Sequence, residues 1–197
     1  MKLTHPFPPL FDDESRILIL GSVPSVKSRE QNFFYGHPQN RSWKVTAAVF
    51  AQAEGAERNG MTEADAYDSL TETTIPETVE EKKAFLHAHH IALWDVIASC
   101  EIEGSSDASI RNVTANDLSP ILKGAPIERI FTNGGTAYDL YCRYIWPGKK
   151  ARQDSEAARM AQTGRSGLEA IKLPSTSPAN AAWTLERLIE AWRVIAR

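Results

Sequence analysis

Four short, mostly apolar runs constrain the fold of this chain most strongly. They lie at residues 17–21 (ILILG), 91–97 (IALWDVI), 129–134 (RIFTNG) and 170–174 (AIKLP). Continuous apolar runs of this length are typical of strands that are buried on both faces of a parallel sheet. Segments with helical periodicity separate the runs, so the sequence predicts an α/β fold.

Helices are predicted between and after these strands. Residues 43–53 place Val45, Ala48, Val49 and Gln52 on one helical face, which predicts a helix packed on the sheet. The other predicted helices run from a capping box of Thr74 and Glu77 to Leu86, from a cap at Asn116 or Ser119 to Gly124, from Thr136 to Ile145, and from Trp183 to Arg197.

The composition fits a globular protein with one sizeable core. The chain has 197 residues, of which 42% are apolar and 24% charged, and no repeat or low-complexity linker divides it. We therefore expect one domain over residues 1–197, with an acidic surface excursion at 53–77. No apolar run approaches the roughly 20 residues that cross a bilayer, and no secretion signal is apparent. We expect a cytoplasmic protein, in which Cys100 and Cys142 are buried, inert thiols.

The net charge of −3 is unevenly distributed along the chain. Residues 53–82 carry nine acidic and two basic side chains, which leaves a charge of +4 on the rest. Residues 143–165 carry six basic side chains against two acidic ones. A basic loop that faces nucleic-acid phosphates is compatible with this pattern. A solvated loop without any partner is the alternative.

The loop after the first strand is the most informative part of the sequence. In an open parallel sheet, ligands bind beyond the carboxyl ends of the strands, and residues 21–43 (GSVPSVKSREQNFFYGHPQNRSW) follow such an end. The aromatic residues 33–35 can form a stacking wall for a nucleobase or a small hydrophobic cluster. His37 and Asn40 offer polar groups without a carboxylate, so we expect an amide to hold any catalytic water.

The other loops carry weaker signals. In residues 173–180 (LPSTSPAN), Ser177 can cap the final helix and direct backbone N–H groups at an anion. The segments 104–109 (GSSDAS) and 131–135 (FTNGG) resemble tight turns, and the latter permits close backbone approach. Residues 87–90 (HAHH) lack the further ligands of a zinc site and are expected at a helix C-terminus. Motifs for an esterase elbow, a P-loop or a dinucleotide fold are absent.

These motifs together carry a resemblance to a known family. GSVPS, YGHPQNRSW, ALWDV, GSSDAS with the later ND, FTNG and LPSTSPAN follow one another from Ile17 to Asn180. The set resembles the hypoxanthine-DNA (deoxyinosine) glycosylases of the uracil-DNA glycosylase superfamily. The resemblance implies a three-layer α/β/α sandwich around a short, mainly parallel sheet, with DNA across the carboxyl edge. It also implies base excision without a metal or cofactor. No lysine stands in a motif as a Schiff-base nucleophile, so we expect a monofunctional enzyme.

The resemblance also implies roles for individual residues. The superfamily commonly has Asp or Asn where this chain has Val23, and the hypoxanthine-directed branch moves the catalytic role to the position of Asn40. A turn amide that bonds its own loop is the alternative for Asn40. Ser42 replaces a frequent Phe, and Ser175 stands where relatives carry a His. Asp95 occupies the place of a base-recognition amide, with the capping of a turn as its alternative.

The implied substrate pocket comprises a larger set of residues, with Tyr35 as the preferred stacking side chain. The set is Gly21, Ser22, Val23, Pro24, Ser25, Tyr35, His37, Asp95, Asn116, Ser175, Thr176 and Ser177.

Three functions remain open from the sequence. The leading one is a DNA repair glycosylase that removes hypoxanthine and, as a side activity, uracil or xanthine. The second is a damaged-DNA binding module of the same fold that has lost its chemistry, because Val23 and Ser175 replace polar groups. The third is an enzyme that acts on free nucleosides or nucleotides. No apolar surface stripe is left once the helices are packed, so we expect a monomer.

Overall fold

The computed structural model describes residues 2–59, 73–104, 106–146 and 169–197. The strands are β1 (Lys2–Thr4), β2 (Ile17–Gly21), β3 (Ile91–Asp95), β4 (Ile97–Glu101), β5 (Arg111–Ala115), β6 (Arg129–Asn133) and β7 (Ala170–Leu173). The helices are α1 (Val26–Gln31), α2 (Ser42–Asn59), α3 (Val79–Ala88), α4 (Ser119–Gly124), α5 (Gly135–Leu140) and α6 (Leu185–Trp192). A π-helical turn at Tyr141–Ile145 follows α5, and 3₁₀ turns lie at Asp107–Ser109 and Arg193–Ala196.

A four-stranded parallel sheet in the order β3-β2-β6-β7 forms the centre of the fold. Every residue of β2 and β3 is buried, as their apolar runs predict. The carboxyl ends of all four strands therefore meet at one edge of the sheet. The α/β prediction with a mainly parallel sheet is confirmed.

A second, antiparallel sheet in the order β1-β4-β5 was not predicted. The apolar run 91–97 is two strands, which meet at Val96. The backbone N–H of Val96 donates to the carbonyl of Gly21 at 2.9 Å, and that of Ile97 donates to Ser22 at 3.1 Å. These bonds hold the end of β2 against the point where the chain leaves one sheet and enters the other.

The predicted apolar face of α2 is confirmed, but the helix is longer than predicted. Val45, Ala48, Val49 and Gln52 are all buried, and the helix continues to Asn59. The first part of the predicted acidic excursion is therefore helical. Residues 60–72 of that excursion lie outside the described residues.

The capping box of α3 lies four residues after the predicted one. The Thr78 side chain accepts from Glu81 N, and the Glu81 carboxylate accepts from Thr78 N. The same Thr-x-x-Glu spacing at Thr74 contains Pro76, which disfavours helical geometry for the residue before it. The helix α3 therefore begins at the later capping box, that of Thr78 and Glu81. The prediction that residues 87–90 lie at a helix C-terminus is confirmed, since His89 is the C-cap.

The predicted caps of the later helices are wrong. α4 begins after Leu118 without a side-chain cap, and Asn116 instead donates to the carbonyl of Asp95 at 2.8 Å. The last helix is capped by Thr184, so Ser177 lies several residues too early to cap it. The loop between β7 and α6 is thus longer than the sequence predicted.

One hydrophobic core cluster joins both sheets and the helices. Leu188, Ile189 and Trp192 of α6 are buried, and α6 packs against α2. The outer edge of β3 pairs with Leu10 in an isolated bridge, which covers an otherwise open strand edge. The helical face predicted near the C-terminus therefore closes the core.

Two further expectations have different outcomes. Cys100 is buried, and burial raises the pKa of its thiol, whereas Cys142 is only half-buried. Most of the basic stretch 143–165 lies outside the described residues, because residues 147–168 are not described. In the described ranges, no helix is long and apolar enough to cross a membrane.

Candidate active site

A cavity of about 1160 Å³ lies at the carboxyl ends of the parallel strands. The end of β3 and the loops after β2, β4, β6 and β7 build its wall. The predicted residues in this wall are Gly21, Ser22, Val23, Pro24, Ser25, Tyr35, His37, Asn40, Asp95, Ser175 and Ser177. Asn116 and Thr176 do not line the cavity, and both act on residues that do. The structure thus brings together nearly all of the predicted set.

Asp95 of the cavity wall forms a buried pair with His5, which lies behind the wall. His5 Nε2 lies 2.8 Å from Asp95 Oδ2, and His5 Nδ1 lies 2.8 Å from the carbonyl oxygen of Phe7. The side chains of His5 and Asp95 are only 3% and 6% exposed. The His5 ring also packs edge-on against Phe7 and lies 4.4 Å from the ring of Trp94.

The hydrogen bonds of this pair fix the chemical character of the carboxyl oxygen in the cavity. A carbonyl oxygen only accepts, so His5 Nδ1 carries a proton that it donates to Phe7. One further proton lies between His5 Nε2 and Asp95 Oδ2 and is bound to one of these two atoms. Oδ1 of Asp95 is a hydrogen-bond acceptor in both cases.

Gly21 makes room for that oxygen. A Cβ atom at position 21 would overlap Asp95 Oδ1, and it would lie 3.6 Å from the Tyr35 hydroxyl. A larger residue at the end of β2 would therefore displace the Asp95 carboxyl group. Gly21, Asp95 Oδ1 and the Tyr35 hydroxyl meet in one small region of the wall.

The three consecutive aromatic residues divide between the two predicted roles. Phe33 and Phe34 are buried in a cluster with Phe7, Trp43 and Trp94, although Phe34 also reaches the cavity wall. These five rings form the hydrophobic cluster. Of residues 33–35, Tyr35 is therefore the one that is left as the candidate stacking residue.

Tyr35 combines two unusual features in the cavity wall. Its φ of 52° lies in the left-handed region, which costs a residue of this type about 1–2 kcal/mol. Its hydroxyl is buried without a hydrogen-bond partner. Burial and the nearby charge of Asp95 raise the pKa of this phenol, so Tyr35 presents a neutral O–H group. Strained backbone and an unpaired polar group are common at functional sites.

A hydrogen-bond network fixes the side chain of Asn40. Its Oδ1 accepts from the backbone N–H of Ser42 at 2.9 Å and from the Thr176 hydroxyl at 2.9 Å. Thr176 in turn accepts from Asn133 Nδ2 at 2.8 Å and donates its backbone N–H to Asn133 Oδ1 at 2.9 Å. Thr176 is fully buried, so it joins the loops after β2, β6 and β7 from behind the wall.

Arg41 ties the same loops together. Its guanidinium donates to the carbonyl of Ser177 at 2.9 Å and of Asn180 at 3.1 Å, and it also bonds the carbonyl of Trp183. The side chain of Asn180 closes this loop by donating to the carbonyl of Ser175 at 2.8 Å. The loop that carries Ser175 is therefore held rigidly against Asn40.

The histidines of residues 87–90 lie outside this wall. Among the described residues, no group of three or more His, Cys, Asp or Glu side chains is arranged to hold a metal ion. His87 bonds Asp12 at 2.5 Å and His89 stacks on Phe50, so these histidines have separate structural partners.

The family to which the chain belongs follows from comparison with known proteins. A family model described as the uracil DNA glycosylase superfamily matches residues 8–196. The chain belongs to this superfamily. It is 30% identical over 191 residues to the hypoxanthine DNA glycosylase of Methanosarcina acetivorans, covering 97% of this chain and 96% of the relative.

Two further relatives agree with this assignment. The hypoxanthine DNA glycosylase of Methanosarcina barkeri is 28% identical over 129 residues, covering 65% of this chain and 69% of the relative. The solution NMR structure of a candidate uracil DNA glycosylase from Methanosarcina acetivorans superposes with a TM-score of 0.67 at 26% identity, covering 100% of this chain and 98% of that one. The chain is thus a DNA glycosylase, and DNA is its substrate class.

Basic groups in the cavity wall suit a DNA substrate. Lys27 and Lys172 both line the cavity. Lys27 is paired with Glu30 at 2.7 Å, and the Lys172 ammonium lies 5.5 Å from the ring centre of Tyr138. Both are exposed enough to meet phosphates, which supply the general part of the affinity for DNA.

A second carboxyl group in the wall was not predicted from the sequence, which indicated an amide as the group that holds water. Asp107 lines the cavity and accepts from the Ser22 hydroxyl at 3.2 Å. Burial in the cleft raises the pKa of Asp107, and the charge of Asp95 adds to this shift. In the described part of the wall, the cavity of this glycosylase therefore contains two carboxyl groups, and both contact the loop that carries Asn40.

His5 was missed entirely. It lies 90 residues from Asp95 in the chain, and nothing in its local sequence indicates a site. The residue is carried there by β1, whose pairing with β4 continues in the bond from His5 N to the carbonyl of Ala98 at 2.8 Å. Asn133 was noted only as part of a tight turn, and a strand-end amide beside glycine is the signal that could have identified it.

Proposed function

We propose that this DNA glycosylase removes hypoxanthine from deoxyinosine in DNA and leaves an abasic site. The observation that carries the proposal is the acceptor oxygen Oδ1 of Asp95, which His5 fixes in the cavity wall. Hypoxanthine has an N–H donor at N1, whereas adenine has a lone pair there. Oδ1 therefore attracts the first base and repels the second. The names of the two Methanosarcina relatives support the same substrate.

Uracil and xanthine are proposed as secondary substrates. Both carry an imide N–H between carbonyl groups, so both can donate to Asp95 Oδ1. Uracil is a single ring and fills less of a cavity of about 1160 Å³, so it makes fewer contacts with the wall. The proposal therefore ranks hypoxanthine above uracil.

The proposed reaction begins with a flipped nucleotide, because the target bond is inaccessible inside the duplex. Tyr35 stacks on the base, and Asp95 accepts from its N1–H group. The bond between N9 and C1′ then breaks, and its electron pair leaves with the purine. Water adds its oxygen to C1′, and the proton that it loses ends on the purine. Asn40 is the proposed catalytic residue, as a polar group in contact with the reacting atoms.

We further propose that the reaction is monofunctional. Lys27 and Lys172 line the cavity, but Lys27 is engaged with Glu30 and Lys172 lies over Tyr138. Among the described residues of the wall, these two amines are the candidates for a Schiff base at C1′, which would need a free nucleophile. Borohydride added during turnover is expected to trap no covalent complex between protein and DNA. A trapped complex that is lost in Lys172→Ala or Lys27→Ala would contradict this part of the proposal.

The deciding experiment is single-turnover cleavage of labelled duplexes that contain deoxyinosine or deoxyuridine, followed by alkali to reveal abasic sites. The wild type should release hypoxanthine, and Asn40→Ala should bind the duplex without releasing the base. Gln39→Ala is the matched control, since Gln39 is the neighbouring amide and does not line the cavity. Binding of both duplexes without release of either base would favour the binding module instead.

A further inference from the structure

The orientation of the Asn40 amide is determined by backbone groups at both ends of its network. The backbone N–H of Ser42 can only donate, so the atom of Asn40 that faces it at 2.9 Å is the carbonyl oxygen Oδ1. The backbone N–H of Thr176 likewise identifies Asn133 Oδ1 at 2.9 Å. Neither amide can be turned over without placing two donors against each other.

The direction of the hydroxyl bond follows from these two assignments. Asn133 Oδ1 is engaged, so its Nδ2 is the atom that donates to the Thr176 oxygen at 2.8 Å. The hydroxyl proton of Thr176 is then free to point at Asn40 Oδ1, 2.9 Å away. Donation runs from Asn133 through Thr176 to Asn40, and it ends on the same oxygen that Ser42 bonds.

Both lone pairs of Asn40 Oδ1 are thus occupied. Asn40 lines the cavity, and within the described ranges no protein group accepts from its Nδ2. The NH₂ group is therefore the part of this side chain that is available to a ligand. An amide held in this way donates hydrogen bonds and has no free oxygen with which to accept a proton from water.

We infer that Asn40 acts through its NH₂ group as a hydrogen-bond donor to the departing purine, and that Thr176 and Asn133 are positioning residues for it. This inference rests on the proposed function. Negative charge develops on the purine nitrogens and oxygen as the N9–C1′ bond breaks, and a fixed donor stabilises that charge. Asn40 keeps both of its protons throughout, because the proton that ends on the purine comes from the attacking water.

The inference also accounts for Ser175. An imidazole that stabilises the leaving base is expected at its position from the family resemblance, and this chain has a serine there. Ser175 Oγ accepts from Ser177 N at 3.2 Å and supports its own turn. A donor on the opposite loop, fixed by Thr176, supplies the stabilisation that Ser175 does not.

Substitution of Asn40 by aspartate separates the donor role from the acceptor role. Asn40→Asp replaces NH₂ by oxygen at nearly constant size. If Asn40 donates to the base, the single-turnover rate on a deoxyinosine duplex falls as far as in Asn40→Ala. A rate in Asn40→Asp at or near that of the wild type would overturn the inference, because a carboxylate improves an acceptor and removes the donor.

Thr176 provides the second test. Thr176→Val keeps the shape and removes the hydroxyl, and we expect the rate to fall about 10- to 100-fold, as for other small misplacements of a reacting group. Thr176→Ser restores the hydroxyl and should recover most of the rate. Thr114→Val makes the same change at an exposed position of β5 and should have no effect.

A double-mutant cycle distinguishes positioning from a general loss of structure. In an Asn40→Ala background, Thr176→Val should change the remaining rate by less than about twofold. An equal loss in both backgrounds would overturn the inference. If the remaining rate is too low to measure, Thr176→Ser and Thr176→Val are compared at equal duplex affinity and unfolding midpoint, and equal rates would overturn it. Failure of the wild type to release hypoxanthine would instead contradict the proposed function.

Discussion

His5 Nε2 lies 2.8 Å from Asp95 Oδ2, and both side chains are almost completely buried. The two residues come from different sheets, since Asp95 ends β3 and His5 follows β1. The pairing of β1 with β4 brings them together. A polar pair at this depth is stable only while both partners are present, and this dependence leads to the first prediction.

His5→Phe is expected to lower the free energy of unfolding by about 3–5 kcal/mol, because it leaves a buried carboxyl group without its partner. Phenylalanine fits the aromatic surroundings of Phe7 and Trp94, so the loss reflects the missing hydrogen bonds. Adding Asp95→Asn should recover part of that loss, since an amide costs less to bury than a carboxylate. Urea unfolding of the three variants measures both effects, and equal stabilities of the single and double variants would contradict the prediction.

Asp95→Asn and Asp95→Leu should have different effects on base recognition. In Asp95→Asn, the amide NH₂ can donate to His5 Nε2 and leave an oxygen in the cavity, so hypoxanthine release should continue within several-fold of the wild type. Asp95→Leu removes the acceptor, and we expect a loss of about 10- to 100-fold, which corresponds to one hydrogen bond to a charged group. Single-turnover rates on deoxyinosine duplexes test this, and equal losses in both variants would count against base recognition by Oδ1.

Gly21→Ala should lower both the stability and the activity. The added Cβ would overlap Asp95 Oδ1, and crowding of this kind costs about 1–3 kcal/mol. Gly55→Ala is the matched control, because it lies in α2 with nothing near its added Cβ. That substitution should raise the free energy of unfolding by up to about 1 kcal/mol through helix propensity. Unfolding midpoints and single-turnover rates are compared for the two variants. A fully active Gly21→Ala would show that the cavity wall accommodates a Cβ atom beside Asp95.

The parallel sheet and most of the cavity wall could be predicted from the sequence, for a physical reason. Strands buried on both faces need continuous apolar runs, and β2 and β3 show this clearly. Once the strands are known, the loops at their carboxyl ends must lie together, which places residues such as Asn40 and Ser175 at one cavity. Local pattern and topology are sufficient for this part.

The second sheet and the hydrogen-bond partners could not be predicted in the same way. β1 has only three residues, and it exists because β4, about a hundred residues later, pairs with it. The role of Thr176 depends on two side chains from other loops, Asn40 and Asn133. Contacts between distant parts of the chain leave no periodicity in the sequence, so these features required the structure.

Tyr35→Phe should separate stability from activity. The hydroxyl is buried with no well-formed hydrogen bond, and only the Asn133 side chain acts on it weakly, so the free energy of unfolding should change little in Tyr35→Phe. We expect the rate of hypoxanthine release to fall by about tenfold, because the hydroxyl lies beside Asp95 Oδ1, the proposed acceptor for the base. Tyr141→Phe serves as the control, since Tyr141 is buried away from the cavity wall. A variant of Tyr35 with the wild-type rate would show that only the ring is used.

Asp107 should control the acid side of the pH–rate profile. Burial in the cleft raises its pKa, with a further contribution from the charge of Asp95. The carboxylate form is present above this raised pKa and is lost as the pH falls through it. If Asp107 accepts a hydrogen bond from the attacking water, the rate falls at a higher pH than an ordinary aspartate would give.

Asp107→Asn should then lower the rate at neutral pH and remove this acid limb from the profile. Asp117→Asn is the control, because Asp117 lies outside the cavity wall and its pKa is lowered by hydrogen bonds from Ser119. The profile of that variant should match the wild type. Persistence of the acid limb in Asp107→Asn would contradict its assignment to Asp107.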